Sequence, residues 1–452
     1  MSILAVNAGS SSLKFSLYPI QGSGTGSCIG EAKLTGNIQG LEPSGQPCIS
    51  YCAAGQGKVS AAVDVQPAQD VFDAALNTLK ALLVSHFAHL QVQAIAHRVV
   101  HGGAFYSSSV RVTPEVMAQL ATLNALAPLH QPHNLAGISA FAESFPEVPQ
   151  VACFDTAFHR TLSPLETTLA IDKKLTEQGV RRYGFHGLSY QYVSQVLKRE
   201  VPRSAGRTVM AHLGNGASVC ATTDHQSRAT TMGFSALDGL MMGTRSGALD
   251  PGVLLYLMEQ GWGHDQIQKL LYKQSGLLGV SGESADMRTL RASSSEAALF
   301  ATELFSHRVV REVGALSACI GGLDVLVFTG GIGEHDAVLR QQVGESLAYL
   351  GVQVNAARNA KATSDRVASI HADNSSIEVW VVPTDEGRVA AQDALVFLKK
   401  IQPVPPKRSA HMLWTALIVL IYEVLPLLCP VCAGQRARGF CCPADVAMPS
   451  FV

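Results

Sequence analysis

Ile3-Leu4-Ala5-Val6, then Asn7-Ala8-Gly9-Ser10-Ser11-Ser12, then Leu13-Lys14-Phe15-Ser16-Leu17-Tyr18, is the stretch from which the fold is read. A short apolar run, a polar turn with a glycine and a strictly alternating run predict an antiparallel β-hairpin. A related order returns far along the chain, at Thr208 to Leu213, Gly214-Asn215-Gly216-Ala217-Ser218 and Val219-Cys220-Ala221-Thr222. Two such hairpins predict a duplicated domain, each half presenting one turn to a shared cleft.

Working outward, strand-like and helix-like patterns alternate up to about residue 400, which predicts an α/β protein. Val325 to Thr329 reads as a buried strand ending in the glycine turn Gly330-Gly331-Ile332-Gly333-Glu334, and Glu378 to Pro383 as a strand closing on Thr384-Asp385-Glu386-Gly387. Helices are predicted over Asp70 to Ser85, Pro114 to Ala125, Ala297 to Leu316 and Arg388 to Lys400.

The chain has 452 residues, and 34 Lys+Arg against 35 Asp+Glu leave a net charge of -1. That balance provides no basic field for non-specific nucleic-acid binding. Hydrophobic residues make up 47% and glycines number 40, which excludes a disordered chain. The N-terminus lacks a charged segment before its apolar run, so it does not read as a secretory signal, and the expected location is cytoplasmic. Cys28, Cys48, Cys52, Cys153, Cys220 and Cys319 are scattered, as expected of buried, reduced thiols. The other four of the ten cysteines crowd into a tail, 401–452, of different character. It opens with a Pro-rich linker and carries an apolar stretch, 412–428, that Glu423 and Pro426 interrupt, so it makes a poor membrane span. The spacing of Cys429, Cys432, Cys441 and Cys442 is a poor zinc pattern.

The chemistry is expected at the turns. Asn7, Ser10 and Ser12 with free backbone N–H groups, and Lys14 just beyond, can close on an anion. The turn lacks the Gly-x-x-x-x-Gly-Lys pattern, so a P-loop is not supported. The turns at His212 to Gly216 and Gly330 to Glu334 fit phosphate by the same logic. Each alone reads equally well as an ordinary hairpin or glycine turn, whereas three together favour a nucleotide. Arg98, Asp155, His186 and Arg245 each end an apolar run beside small residues, and so are either exposed turn residues or groups aimed into a cleft. With fifteen histidines in the chain, a lone one such as His130 or His133 reads as structural.

At these residues the sequence resembles the acetokinase family. Val6 to Phe15 is similar to its first signature and Phe154-Asp155-Thr156-Ala157-Phe158-His159 to its second. Tyr183 to Gly187, His212 to Gly216, Met241 to Gly247 and Gly330 to Glu334 continue the match in family order, over roughly residues 2–400. The resemblance implies the duplicated, ribonuclease H-like fold of actin, sugar kinases and Hsp70, with two lobes around a nucleotide cleft. The lobes would be 1–155, completed by the helix 388–400, and 156–387. It implies a homodimer paired through the C-terminal lobe, and reversible phosphoryl transfer from ATP to acetate with magnesium (or manganese).

By the same resemblance, Asn7 and Glu386 match the metal-linked positions. Lys14, His212, Leu213, Gly214, Asn215 and Gly216 match the ATP-phosphate positions. Asp286, Met287 and Arg288, with Gly330, Gly331, Ile332, Gly333 and Glu334, match the adenosine side. Arg98 matches the substrate-carboxylate position, with Val100, Leu129, Phe185 and Ala236 as the apolar pocket around the methyl group. Asp155, His186 and Arg245 match the catalytic positions. Acetate is ionised at neutral pH, so no strong base is needed, and the difficulty is bringing anion to anion. Arg98 is expected to hold the carboxylate through its planar fork. Asp155 is expected to orient substrate or a metal-bound water, with a flat pH profile through neutrality.

Three departures stand out. Ala236 replaces the family's usual proline against the methyl pocket, which predicts better use of propionate. Asp385-Glu386-Gly387 replaces the usual Asn-Glu-Glu, and Gln131 a usual asparagine. Two other readings stay open, a propionate or other short-chain acyl kinase and a nucleotide-binding protein of the same fold that has lost catalysis.

Overall fold

The structure, a computed structural model, describes residues 1–401 apart from 43, 44, 67, 68 and 129. The tail segment 402–452, with its apolar stretch and cysteine cluster, lies outside the described residues, as does Leu129. No helix among the described residues is long and apolar enough to cross a membrane.

The first hairpin forms from Ser2–Ala8 and Ser12–Gln21, antiparallel, with Asn7 opposite Lys14. The first strand also pairs in parallel with Val92–Val99, which pairs in parallel with Gln150–Phe154. Leu34–Gln39 closes antiparallel on the other side of the hairpin. The second hairpin, Thr208–Leu213 with Ala217–Thr223, repeats this arrangement. Gln226–Thr230 lies antiparallel outside it, and Val325–Thr329 and then Glu378–Val381 lie parallel inside it. Numbered within each half, both sheets therefore run 3-2-1-4-5 with the same strand directions, so the duplication expected from the hairpins is present in the topology. The N-terminal sheet extends further through Cys48–Ala53 and Lys58–Ala62.

The first strand is apolar from Ile3 to Val6 because both its faces are covered. Leu4 and Val6 share a core with Ala75, Leu79 and Leu83 of the helix Val71–Phe87, which Asp70 caps through the amides of Phe72 and Asp73. Ile3 and Ala5 share another with Val389, Ala390 and Ala394 of the helix Glu386–Ile401. A one-residue slip would exchange the two faces and turn Asn7 and Lys14 away from the cleft, so burial fixes the site's register. In the C-terminal half, Phe305, Val309 and Val313 of the helix Glu296–Cys319 pack with Val209, Val219 and Phe328 of the second sheet.

Three expectations are corrected. Of the six described cysteines, all free, only Cys153 and Cys220 are buried; Cys28, Cys48, Cys52 and Cys319 are exposed. The helix from Pro114 ends at Ala121, and a separate short 3-10 turn follows at Asn124–Leu126. The glycine turn after Thr329 is helical from its first residue, Gly330–His335. Gly330 adopts a φ of 76°, and a Cβ there would stand 2.8 Å from the Leu213 carbonyl oxygen, so the close approach of the two glycine-bearing turns needs glycine.

Candidate active site

Residues from both sheets line one cavity of ≈ 600 Å³. Asn7, Lys14, Arg98 and Asp155 come from the N-terminal half, and His186, His212, Gly214, Asn215, Gly216 and Arg245 from the C-terminal half. Glu386 enters at the start of the last helix, and Val100, Phe185 and Ala236 form an apolar wall. Gly214, Asn215 and Gly331 also line a second cavity of ≈ 960 Å³, so the two adjoin. Asp286, Met287, Arg288 and Ile332 lie on the second cavity's wall with Ala337 and Val338.

Arg98, on the strand Val92–Val99, and Asp155, just past the end of the adjacent parallel strand Gln150–Phe154, form a largely buried forked pair. Nε of Arg98 donates to Oδ1 at 3.1 Å and Nη2 to Oδ2 at 2.5 Å. Nε also lies 3.6 Å from Glu386 Oε2. The fork expected for the substrate carboxylate is thus taken by Asp155, and Nη1 is the arm that makes no hydrogen bond among the described residues. Burial pushes the Asp155 carboxyl up to about 6, with Arg98 pulling against it. Burial opposes the Arg98 charge, but Asp155 and Glu386 outweigh it and keep the guanidinium protonated.

Facing this pair, His186 occupies the left-handed region with a φ of 56°, at the cap position before the helix Gly187–Glu200. The Gly187 amide donates to the Asp155 carbonyl at 2.8 Å, which draws that turn against the strand end bearing Asp155. The His186 ring stacks on His212 with centroids 4.3 Å apart. Burial, then His212, Arg98 and Arg245, hold His186 well below the ordinary imidazole range, and burial lowers His212 to about 4. Both rings are neutral at pH 7. Arg245 donates from Nη1 to the Ala236 carbonyl at 2.8 Å. Neither Arg245 nor Lys14 has a carboxylate partner among the described residues. Two cations without counter-ions in one cavity call for an anionic ligand.

Several expected residues do not present side chains to the cavity. Leu213 is fully buried in the C-terminal core. Gly333 is buried, and Glu334 turns inward, its Oε1 accepting from the amides of Gly330 at 2.9 Å and Thr384 at 3.1 Å. Glu334 therefore ties the glycine helix to the loop before Glu386. Asp286 and Arg288 pair with each other at 2.6 Å on the cavity rim. Gln131 is fully buried and holds His101 from both sides, accepting from its amide and donating to its carbonyl.

Several cavity residues escaped the sequence reading, among them Ser16, Thr384 and a histidine. His130, read there as structural, lines the cavity, and burial followed by Arg245 and Arg98 lowers its pKa to about 4. Its position just before the helix Gln131–Ser144 was the only available signal, and that is a weak one.

Known proteins resemble this chain over most of its described length. A sequence model of the Acetokinase family matches residues 2–392. An acetate kinase of Rhodopseudomonas palustris is 47% identical over 407 residues, covering 86% of this chain and 96% of that protein. Among solved structures, a propionate kinase from Francisella tularensis superposes with a TM-score of 0.78 at 36% identity, covering 87% of this chain and 98% of that one. Porphyromonas gingivalis acetate kinase gives 0.77 at 34%, covering 88% and 99%. With the family's sequence model matched over nearly all the described residues and relatives of this similarity, the chain belongs to the acetokinase family.

Proposed function

We propose that this chain transfers the terminal phosphoryl group of ATP reversibly to acetate, giving acetyl phosphate and ADP. The observation that carries this is the pair of uncompensated cations, Lys14 and Arg245, facing a buried Arg98–Asp155 pair in a cavity that adjoins a larger one. The larger cavity takes the nucleoside and the smaller one the phosphates and acetate. In this reading residues 1–155 and the last helix form one lobe and 156–387 the other.

An acetate oxygen attacks the terminal phosphorus while the bond to the ADP oxygen breaks, and ADP leaves with that electron pair. Arg98 Nη1 orients the acetate carboxylate, with Val100, Phe185 and Ala236 around its methyl group. Arg245, Lys14 and His186 meet the charge spread over the transferring oxygens. Asn7 and Glu386, with Asp155 nearby, suit a magnesium ion carried in with the nucleotide. Magnesium ordinarily keeps several phosphate and water oxygens in its shell, so these side chains would supply only part of its coordination. When bound, magnesium neutralises phosphate charge.

Hydroxylamine trapping of acyl phosphate, with ATP, magnesium and acetate, propionate or butyrate, tests the reading. Product with acetate above propionate above butyrate supports it. Nucleotide binding with no acyl phosphate from any acid would leave a binding protein instead. A specific observation favours propionate as second substrate: Ala236 faces the apolar end of the cavity and bonds Arg245 only through its carbonyl, which proline would retain. Ala236→Pro should lower the propionate-to-acetate ratio of kcat/KM by about tenfold, within the roughly 1–3 kcal/mol that one methylene commands. An unchanged ratio would remove Ala236 from the selectivity pocket.

The homodimer is part of the same proposal. The helix Pro251–Glu259 buries none of its residues, although Val253, Leu255, Tyr256 and Met258 are apolar. An apolar helix with most of its residues in water is costly, and a second copy presenting the same helix across a two-fold axis would cover it. Light scattering is expected to report a dimer for the native chain, and a monomer for Leu255→Glu with Met258→Glu.

A further inference from the structure

The two stacked cleft histidines are held by a crossed pair of serines. His186 belongs to the turn that starts the helix Gly187–Glu200, and its Nδ1 lies 2.8 Å from Oγ of Ser218 on the second hairpin. His212 belongs to that hairpin, where it is the cross-strand partner of Ser218. Its Nδ1 lies 2.8 Å from Oγ of Ser189, on the same helix as His186's turn. Helix histidine meets strand serine, and strand histidine meets helix serine.

Both serines are fully buried, and each has a second hydroxyl partner. Tyr190 Oη lies 2.6 Å from Ser218, and Thr384 Oγ1 lies 2.9 Å from Ser189. With Nδ1 occupied, each ring has only Nε2 left. A Cβ built on Gly216, in the cavity wall, would stand 3.2 Å from His186 Nε2 and 3.6 Å from Arg245 Nη2. The nearest such position for His212 Nε2 is Gly214, at 4.0 Å.

Each ring independently has two proton arrangements that satisfy these distances, and the two uniform cases are the limits. If Nδ1 carries the proton, both Nε2 atoms turn bare lone pairs toward the cavity. If the serines donate, Tyr190 donates to Ser218 and Thr384 to Ser189, every hydroxyl is used once as a donor, and both Nε2 atoms carry N–H. A cavity with uncompensated cations is built for anionic oxygens, which lone pairs repel and N–H groups attract. We propose that Ser218 and Ser189 are positioning residues that donate to Nδ1 of His186 and His212, so that each ring presents an Nε2–H to the transferring phosphoryl group. The inference rests on the phosphotransferase reading for its purpose, but the tautomer is measurable without turnover.

The test is 15N magic-angle spinning NMR of histidine-labelled full-length protein, with His186→Gln and His212→Gln used to assign the two rings. Nitrogen shifts of a protonated Nε2 and a bare Nδ1 in both rings are expected. A protonated Nδ1 in either ring overturns the proposal, whether or not the protein makes acyl phosphate. Ser218→Ala should return His186 to a tautomer mixture and lower kcat about 10- to 100-fold, with KM for acetate and for ATP within about threefold. Tyr190→Phe, which keeps the ring packing, should give a smaller loss in the same direction, and Ser218→Thr should restore activity. A His186 shift unchanged in both Ser218→Ala and Tyr190→Phe would overturn the proposal. So would losses confined to KM or to thermal stability.

Discussion

Replacing Asp155 with alanine is expected to lower kcat/KM for acetate about 1000-fold and to remove about 3–5 kcal/mol of stability. The two losses have one origin. Asp155 is almost wholly buried, and both its oxygens take the Nε and Nη2 arms of Arg98. Without it, Arg98 keeps its charge in a site where the nearest remaining carboxylate oxygen is Glu386 Oε2, 3.6 Å from Nε. An unpaired buried charge is far more costly than the pair itself is favourable. The guanidinium would also be free to turn toward Glu386, moving Nη1 from the acetate position. Asp155→Asn keeps the shape and should lose less stability while remaining poorly active. Urea unfolding and acyl-phosphate kinetics on both variants separate the contributions, and an alanine variant of near-native stability would refute the pairing argument.

The same pair sets a pH dependence that differs from the flat profile expected of an orienting carboxylate. Burial brings the Asp155 carboxyl up to about 6, so below that pH it binds a proton and Arg98 loses its anion. Log kcat/KM should therefore fall with unit slope below about pH 6, on ionisation alone, without Asp155 accepting a proton from substrate. The sign for stability is opposite. A carboxyl raised in the folded state, against roughly 3.9 when unfolded, favours folding in its protonated form, and that contribution fades as pH rises through 6. Activity lost at pH 5.5 should thus come with an intact fold, which circular dichroism at that pH checks.

The hairpins were legible because period-two alternation and a polar turn are local, and both halves carry them. Their strand order follows from two parallel partners that the sequence also marked as apolar runs. The site was legible only in pieces. Asp155 and Arg98 each read as a charge at the end of an apolar run, but their pairing across 57 positions is made by adjacent parallel strands. It thus took the fork that the isolated Arg98 seemed to offer substrate. Leu213 and Glu334 belong to motifs that reach the cavity, yet their own side chains point into the protein: Leu213 shares the core face of its strand with Val209 and Ala211, and the direction of Glu334 depends on the helix beginning at Gly330. The crossed serines needed two elements to meet before either had meaning. Cysteine type alone predicted burial, whereas Cys48 and Cys52 lie on a strand near the open edge of the N-terminal sheet.

Arg340 was invisible in the sequence for a related reason, and it carries the second large effect. A lone arginine in a helix with few apolar residues reads as solvated, yet this one is fully buried with no carboxylate bonded to it. All its partners are uncharged oxygens. Nε donates to Asn359 Oδ1 at 2.7 Å, Nη1 to the carbonyls of Gly333 and Glu334 at 2.9 and 2.7 Å, and Nη2 to those of Asn359 and Ala362 at 2.9 and 3.3 Å. Those carbonyls end the helices Gly330–His335 and Ala356–Lys361, where backbone dipoles leave negative charge, so helix ends stand in for a counter-ion. Burial lowers the guanidinium only to about 10, so it stays charged at pH 7. Arg340→Met relieves a buried charge but orphans Asn359 Oδ1 and the carbonyls of Gly333, Glu334 and Ala362 at roughly 1–3 kcal/mol each, while the Asn359 carbonyl keeps the Ala362 amide, and the second effect wins. A net loss of about 3–5 kcal/mol is expected in urea unfolding. Because Glu334 hangs from the same helix and holds Gly330 and Thr384, the slackening should reach the nucleotide side first. KM for ATP should then rise several-fold more than KM for acetate. Equal rises in both would mean that Arg340 supports the fold as a whole and not the glycine helix in particular.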